Sequence, residues 1–244
     1  MRVVPYELPE TSVTSADLPR PAGEKHFKQL TAAEAGRALY IDVEGEKDKP
    51  PVLLGILRRG GRGPEPAVHQ LTVDADFETL ADEALAFIAA VERVVIRAEA
   101  RDCRIVSWTE HDLEVVRRLR DEDPDLVARF EARYANGKRV AERWMNKLHH
   151  DGRLADGKLT TYLAHIGYDV PHGGRAGQVA HTIKSMRPTL HGGRPLTARQ
   201  QERWAELREH NRHDCAGMKA VCLLATREID AADQAGPGRG SGDQ

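Results

Sequence analysis

The stretch RALYIDVEG, residues 37–45, contains a run of β-forming apolar residues that ends in two acids one residue apart. In a β-strand, the side chains at positions i and i+2 point to the same face of the sheet. Asp42 and Glu44 therefore share a face, where their carboxylates repel each other unless a cation or water offsets the charge. The strand end is either a metal site or a solvated turn, and Glu46 and Asp48 resemble the second case.

The composition of the chain is that of a globular protein. Its 244 residues are 40% hydrophobic and 30% charged, and they include three cysteines without a paired spacing, which is typical of a reducing compartment. Cys215 and Cys222 are seven residues apart on a predicted helix, a spacing that favours two buried core positions rather than a zinc site. No apolar run approaches the ~18 residues of a membrane helix, and the N-terminus lacks the apolar stretch of a signal peptide. We expect a cytoplasmic protein without a membrane partner.

Apolar periodicity predicts the order of strands and helices. Three short strands separated by Gly and Pro clusters suit an antiparallel meander, and a fourth strand follows a helix. The predicted strands are 37–45, 51–60, 66–73 and 104–110, and the predicted helices are 76–95, 111–121, 124–150, 159–170 and 197–229. Residues 171–195, rich in Gly and His, are expected to form a long ordered loop. The sequence thus predicts an α/β fold with a central mixed sheet flanked by helices.

The sequence predicts one domain with an irregular segment at each end. Residues 1–30, rich in Pro, Ser, Thr and Glu, predict an irregular N-terminal arm, and residues 233–244 predict a disordered tail. The domain itself is expected to span residues 31–232. Its last helix opens at TARQ, residues 197–200, which matches a capping box.

The net charge of −2 conceals an uneven distribution. Residues 129–213 contain 16 Lys and Arg against 8 Asp and Glu. Such a charge imbalance suits a surface that binds a polyanion, although helices with a solvated basic face give the same pattern. Lys184, Arg187 and Arg194 lie just before the last helix. They are candidates for phosphate contacts, and surface charge is the alternative for each of them.

Two further acids stand out by their position. Asp112 begins the helix after the fourth strand, and Asp214 lies inside the last helix close to Met218. A carboxylate among apolar residues is costly without a partner. Together with Asp42 and Glu44, these acids can converge on one site, which divalent Mg²⁺ or Mn²⁺ would stabilise because these hard ions accept oxygen ligands.

The motifs around these acids resemble the RNase H-like superfamily, on the branch of DEDD-type 3′–5′ exonucleases. The stretches that carry the resemblance are YIDVEG, IVSWTEHDLEVV and HNRHDCAGM, supported by KLTTYLAHIGYDVP. Within that branch, the chain is most similar to the RNase H-like nucleases found alone or beside RecB-type nucleases and helicases. The resemblance covers roughly residues 37–230 and implies an RNase H-like fold.

The resemblance also implies an activity and a set of functional residues. It implies a metal-dependent nuclease that hydrolyses DNA or RNA, as a 3′–5′ exonuclease, by two-metal activation of water. Asp42, Glu44, Asp112 and Asp214 would hold the two ions, with Glu110 as the alternative to Asp112. A Tyr four residues before the last acid, or a His five before it, positions water in the family; here His210 combines the Tyr spacing with the His residue type. His213 is a weaker candidate.

Two readings of the function remain open from the sequence. In the first, the chain is this nuclease, with a helicase or another nuclease as a partner protein. In the second, it is a non-catalytic nucleic-acid-binding or scaffold protein that retains the RNase H-like fold. Binding of divalent metal by the four acids distinguishes the two, because only the first reading requires it.

Overall fold

The computed structural model describes residues 30–46, 49–57, 67–148, 156–168 and 179–235. The predicted arm, except for Leu30, and residues 236–244 of the predicted tail lie outside these ranges. The elements follow one another in the order α1 (Ala32–Arg37), β1 (Leu39–Gly45), β2 (Pro51–Leu57), β3 (Val68–Thr72), α2 (Phe87–Ala100), β4 (Ile105–Ser107), α3 (Glu110–Arg117), α4 (Pro124–Arg133), β5 (Tyr134–Asn136), α5 (Gly137–Leu148), α6 (Leu159–His165), α7 (Val179–His191) and α8 (Ala198–Ala235). Short 3₁₀ helices cover Ala75–Leu80 and Arg118–Asp121.

The five strands form one mixed sheet in the order β3-β2-β1-β4-β5. The meander β1-β2-β3 is antiparallel, as the sequence predicted, and β4 and β5 run parallel to β1. The α/β class and the helix-flanked mixed sheet are therefore confirmed. Because β1, β4 and β5 are parallel, their carboxyl ends meet at one edge of the sheet.

The sheet separates two apolar layers, and a third cluster lies at its side. Ile41 and Val43 of β1 face the layer that contains α2, α3 and α4. Tyr40 points to the opposite face, where α5, α6 and α8 pack. Since side chains alternate along a strand, Asp42 and Glu44 face the helix α8.

Two predicted helices are interrupted in the structure. The predicted helix 76–95 is interrupted, because the chain near Ala84 pairs with the end of β3: Thr72 N donates to Glu83 O, and Leu85 N donates to Thr72 O, both at 3.0 Å. The predicted helix 124–150 contains the short strand β5, which completes the sheet beside β4. Tertiary pairing overrides the local helical pattern in both places.

The predicted loop 171–195 contains a helix. α7 buries Ile183 and Met186 against Trp204 of α8, and the three-residue spacing of the first two fits a helix despite the surrounding glycines. Residues 169–178 lie outside the described residues. α8 also continues to Ala235, three residues into the range predicted as tail.

The capping box at Thr197 is present. Gln200 N donates to Thr197 Oγ1 at 3.3 Å, and Thr197 N donates to Gln200 Oε1 at 3.0 Å. Among the described residues, no helix has both the length and the apolar character needed to cross a membrane.

Candidate metal centre

Three elements bring the predicted acids together. β1 carries Asp42 and Glu44, the first turn of α3 carries Asp112, and the middle of α8 carries Asp214. All four carboxylates raise the pKa of the Cys215 thiol, after the larger effect of its burial, so all four lie near that buried side chain. The structure therefore gathers the four acids at the carboxyl edge of the sheet.

Asp112 is held by the backbone of the first strand. Its Oδ1 accepts a hydrogen bond from Val43 N at 3.0 Å, and the residue is only 5% exposed. Burial raises the pKa of Asp112 to about 6, although the Val43 N–H and the nearby His111 oppose that rise. Glu110, the alternative ligand, has a side chain that is 59% exposed and lies 3.7 Å from an Arg139 nitrogen. The structure thus places Asp112, and not Glu110, beside the other acids.

Burial and mutual repulsion disfavour the charged form of the remaining acids. Burial, then the charges of Asp214 and Asp112, raise the pKa of Asp42 well above its usual range. The pKa of Glu44 rises for the same reasons, and its carboxyl shares a hydrogen bond with that of Asp42. Burial, followed by repulsion from Asp112, raises the pKa of Asp214 to about 7.

His210 lies between two of these acids. Its Nε2 is 3.5 Å from Asp214 Oδ2 and 3.9 Å from Glu44 Oε1. Burial lowers the pKa of His210, while the charge of Asp42 opposes that effect. Its Nδ1 is buried without a hydrogen-bond partner in the described part of the chain. His213, the weaker candidate, contacts Glu209 and Tyr168 instead, at 2.9 and 3.2 Å.

The donor set of this cluster fits a hard divalent cation. Carboxylate oxygens are the ligands that Mg²⁺ and Mn²⁺ prefer, and within the described ranges no Lys or Arg forms an ion pair with any of the four acids. No group of three or more His, Cys, Asp and Glu side chains is already spaced to hold an ion in those same ranges. The charge and oxygen chemistry of the cluster fit such an ion, but its side chains as they stand are not spaced to coordinate one.

The predicted phosphate contacts have different surroundings. The Arg187 guanidinium lies among three carboxylates: Nη1 bonds Asp74 Oδ2 at 2.7 Å and Asp76 Oδ2 at 3.1 Å, and Nε bonds Glu46 Oε1 at 3.1 Å. Its charge is therefore engaged within the protein and does not suit a phosphate contact. Lys184 on α7 and Arg194 after it are exposed.

Two basic residues that we did not predict lie at the same sheet edge as the acids. Lys138 and Arg139 lie in the first turn of α5, which begins where β5 ends, and Asn136 Oδ1 accepts a hydrogen bond from Arg139 N at 3.1 Å. Their nearest acids, Glu142 and Glu110, are 3.9 and 3.7 Å away, so these ion pairs are loose. This placement could not be predicted from the sequence, because the residues of β5 were predicted as helix.

Asn211 was not among the predicted site residues. This residue is fully buried, and its Nδ2 donates to Asp42 Oδ2 at 2.8 Å. One signal pointed to such a contact: Gly55 interrupts the apolar strand PVLLGIL, and a glycine inside a strand often marks the close approach of another group.

The two helical cysteines have the predicted core positions, and Trp108 is buried as well. Trp108 packs against Tyr162 with ring centroids 5.3 Å apart, and its Nε1 donates to Gly157 O at 3.2 Å. Cys215 and Cys222 are both fully buried.

No protein-family model, curated protein or solved structure matches the chain significantly. A function for the chain therefore has to be argued from the geometry and chemistry of the cluster.

Proposed function

We propose that the protein is a metal-dependent nuclease with an RNase H-like fold, which hydrolyses phosphodiester bonds of DNA or RNA, as a 3′–5′ exonuclease. One observation carries the proposal: four carboxylates from three separate elements meet in a buried cluster where their pKa values rise. A purely structural role would favour apolar residues at such positions, because buried charges cost free energy without compensation. A mixed sheet with an antiparallel β1-β2-β3 meander agrees with this family.

Asp42, Glu44, Asp112 and Asp214 are the residues that would hold two Mg²⁺ or Mn²⁺ ions. Bound there, the ions activate water and stabilise the leaving oxygen of a phosphodiester. The Val43 N–H orients Asp112 for this role, at 3.0 Å. The cluster also needs cations for a second reason, since four carboxylates would otherwise repel the phosphate backbone of the substrate.

His210 would transfer the proton. Its Nε2, 3.5 Å from Asp214 Oδ2, accepts a proton from the attacking water, and the two neighbouring carboxylates stabilise the imidazolium that results. Lys138 and Arg139, at the same edge of the sheet, would contact substrate phosphates, together with the exposed Lys184 and Arg194. Salt would weaken these contacts.

The test is degradation of end-labelled single- and double-stranded DNA and RNA with Mg²⁺ or Mn²⁺. Wild type is compared with Asp42→Asn, Asp112→Asn and Asp214→Asn, with EDTA as a chemical control. Glu110→Gln is the matched variant, because this acid lies in the same first turn of α3 as Asp112 but its side chain is exposed.

We expect metal-dependent cleavage that the three Asp→Asn substitutions abolish and Glu110→Gln retains. A ladder that shortens from the 3′ end would identify an exonuclease. Absence of both cleavage and metal binding by calorimetry would refute the nuclease proposal and favour the non-catalytic binding protein.

A further inference from the structure

Asn211 is held in one orientation between Asp42 and the third strand. Its Nδ2 donates to Asp42 Oδ2 at 2.8 Å and to Asp42 O at 3.0 Å, while its Oδ1 accepts from Gln70 Nε2 at 3.0 Å. The reverse amide orientation would place an oxygen against two oxygens of Asp42 and a nitrogen against a donor. Only one orientation of the amide satisfies all of these partners.

Gln70 is fixed in turn by the helix that carries Asn211. Its Nε2 also donates to Arg208 O at 2.6 Å, and its Oε1 accepts from Arg208 Nε at 3.0 Å. Arg208 forms an ion pair with Asp82 near the surface. The amide of Asn211 is therefore supported by a chain of hydrogen bonds that restricts its rotation.

Gly55 makes room for this arrangement. It lies opposite Asp42 in the β1-β2 ladder, and a Cβ atom built on it would lie 2.2 Å from Asn211 Oδ1. Glycine inside a strand weakens the strand, so its presence indicates that a close approach is needed here. Gly55 of β2 leaves space for the Asn211 side chain, and Gln70 of β3 bonds it, so that the amide on α8 contacts Asp42.

We propose that Asn211 is a positioning residue that orients the Asp42 carboxylate for a divalent cation. The proposal rests on the proposed function, since it assumes that Asp42 is a metal ligand. By engaging Oδ2, Asn211 limits the rotation of the carboxylate, whose Oδ1 makes no bond with the amide. Groups that orient a ligand in this way commonly change metal affinity 10–100-fold when they are replaced.

Calorimetric titration of the full chain with Mn²⁺ tests this role. We expect Asn211→Leu, which keeps the volume but removes the amide, to weaken Mn²⁺ binding about 10–100-fold. Thr226→Val is the matched control: Thr226 is a buried polar residue on the same helix whose hydroxyl bonds Cys222 O at 2.7 Å. Its Mn²⁺ affinity should equal that of wild type.

Gly55→Ala provides a second variant that leaves Asn211 itself intact. Its new methyl group displaces the amide, so we expect weaker Mn²⁺ binding in the same direction. Wild-type affinity in a folded Asn211→Leu protein would overturn the proposal, even if Gly55→Ala were affected.

A double-mutant cycle separates this inference from the proposed function. Unfolding of Asn211→Leu, Asp42→Asn and the double variant is measured in EDTA, where no metal contributes. We expect the change in stability of the double variant to differ from the sum of the two single changes, because the residues interact directly. If wild type bound no Mn²⁺, the nuclease proposal and the cation role of Asn211 would both fail. If wild type bound Mn²⁺, coupling in the cycle would support the positioning role, whereas additive changes would overturn that role and leave the nuclease proposal standing.

Discussion

Removing one carboxylate from the cluster should stabilise the metal-free protein at alkaline pH. Asp214 has a pKa of about 7 in the folded protein, above its ordinary value of 3.8, because of burial and repulsion from Asp112. A carboxyl with a raised folded pKa costs stability when it is ionised. This cost is absent below the unfolded pKa of ~3.9, grows as pH rises, and is complete above about pH 7.

The size of this destabilisation follows from the difference between the pKa of Asp214 in the folded and in the unfolded protein. About three pKa units at ~1.4 kcal/mol each set an upper bound of ~4 kcal/mol. Because the neighbouring acids share the repulsion, we expect Asp214→Asn to recover about 1–3 kcal/mol, or roughly 2–12 °C in Tm for a chain of this size. The gain should be greatest at pH 8 and small near pH 4.

Thermal unfolding of wild type and Asp214→Asn in EDTA between pH 4 and 8 measures this difference. Glu206→Gln, which removes an exposed acid from the same helix, is the control and should show little change. Adding Mn²⁺ should stabilise wild type more than Asp214→Asn, since the ion offsets the repulsion that the substitution removes. A variant less stable than wild type at pH 8 without metal would refute the electrostatic reasoning.

Other substitutions test separate parts of the structure. His210→Ala should lower kcat at least ~10²-fold with little change in KM, measured by single-turnover cleavage, if Nε2 takes the proton; an unchanged kcat would contradict that role. Arg187→Met should destabilise the protein by about 2–4 kcal/mol in urea unfolding, since it leaves three carboxylates together without their cation. Gly217→Ala should cost about 1–3 kcal/mol, because the new Cβ would lie 2.7 Å from a Leu163 methyl group. Thr197→Ala should cost about 1 kcal/mol by removing the helix cap; chemical denaturation checks both values.

The predicted elements that proved correct are those with strong local signals. The strands around Asp42 and Leu54 alternate or remain apolar over seven residues, and Thr197 begins α8 with its own side chain. The split at residues 81–86 and the strand β5 could not be predicted, because backbone pairing with distant strands decides them. α7 was missed for another reason: its glycine- and histidine-rich surroundings outweighed an apolar spacing that was present.

The same distinction holds for the candidate site. The order of the motifs indicated Asp42, Glu44 and Asp214, and local sequence left Asp112 and Glu110 as alternatives. The structure distinguishes these two acids because the Asp112 carboxylate accepts a hydrogen bond from Val43 N. The two residues are 69 positions apart in the chain. Similarly, charge counting selected Arg187 for phosphate binding, whereas folding places three carboxylates around it.

The sequence by itself determined the class of the fold and the antiparallel meander, and it identified the candidate acids of the site. These features depend on periodicity and residue type along short stretches. The tertiary structure decided which acids meet, which arginine is already neutralised and that Asn211 reaches Asp42 past Gly55. Contacts of this kind join residues far apart in the chain, and their distances arise only when the strands and α8 pack together. A site built from several elements is therefore suggested by the sequence and defined by packing.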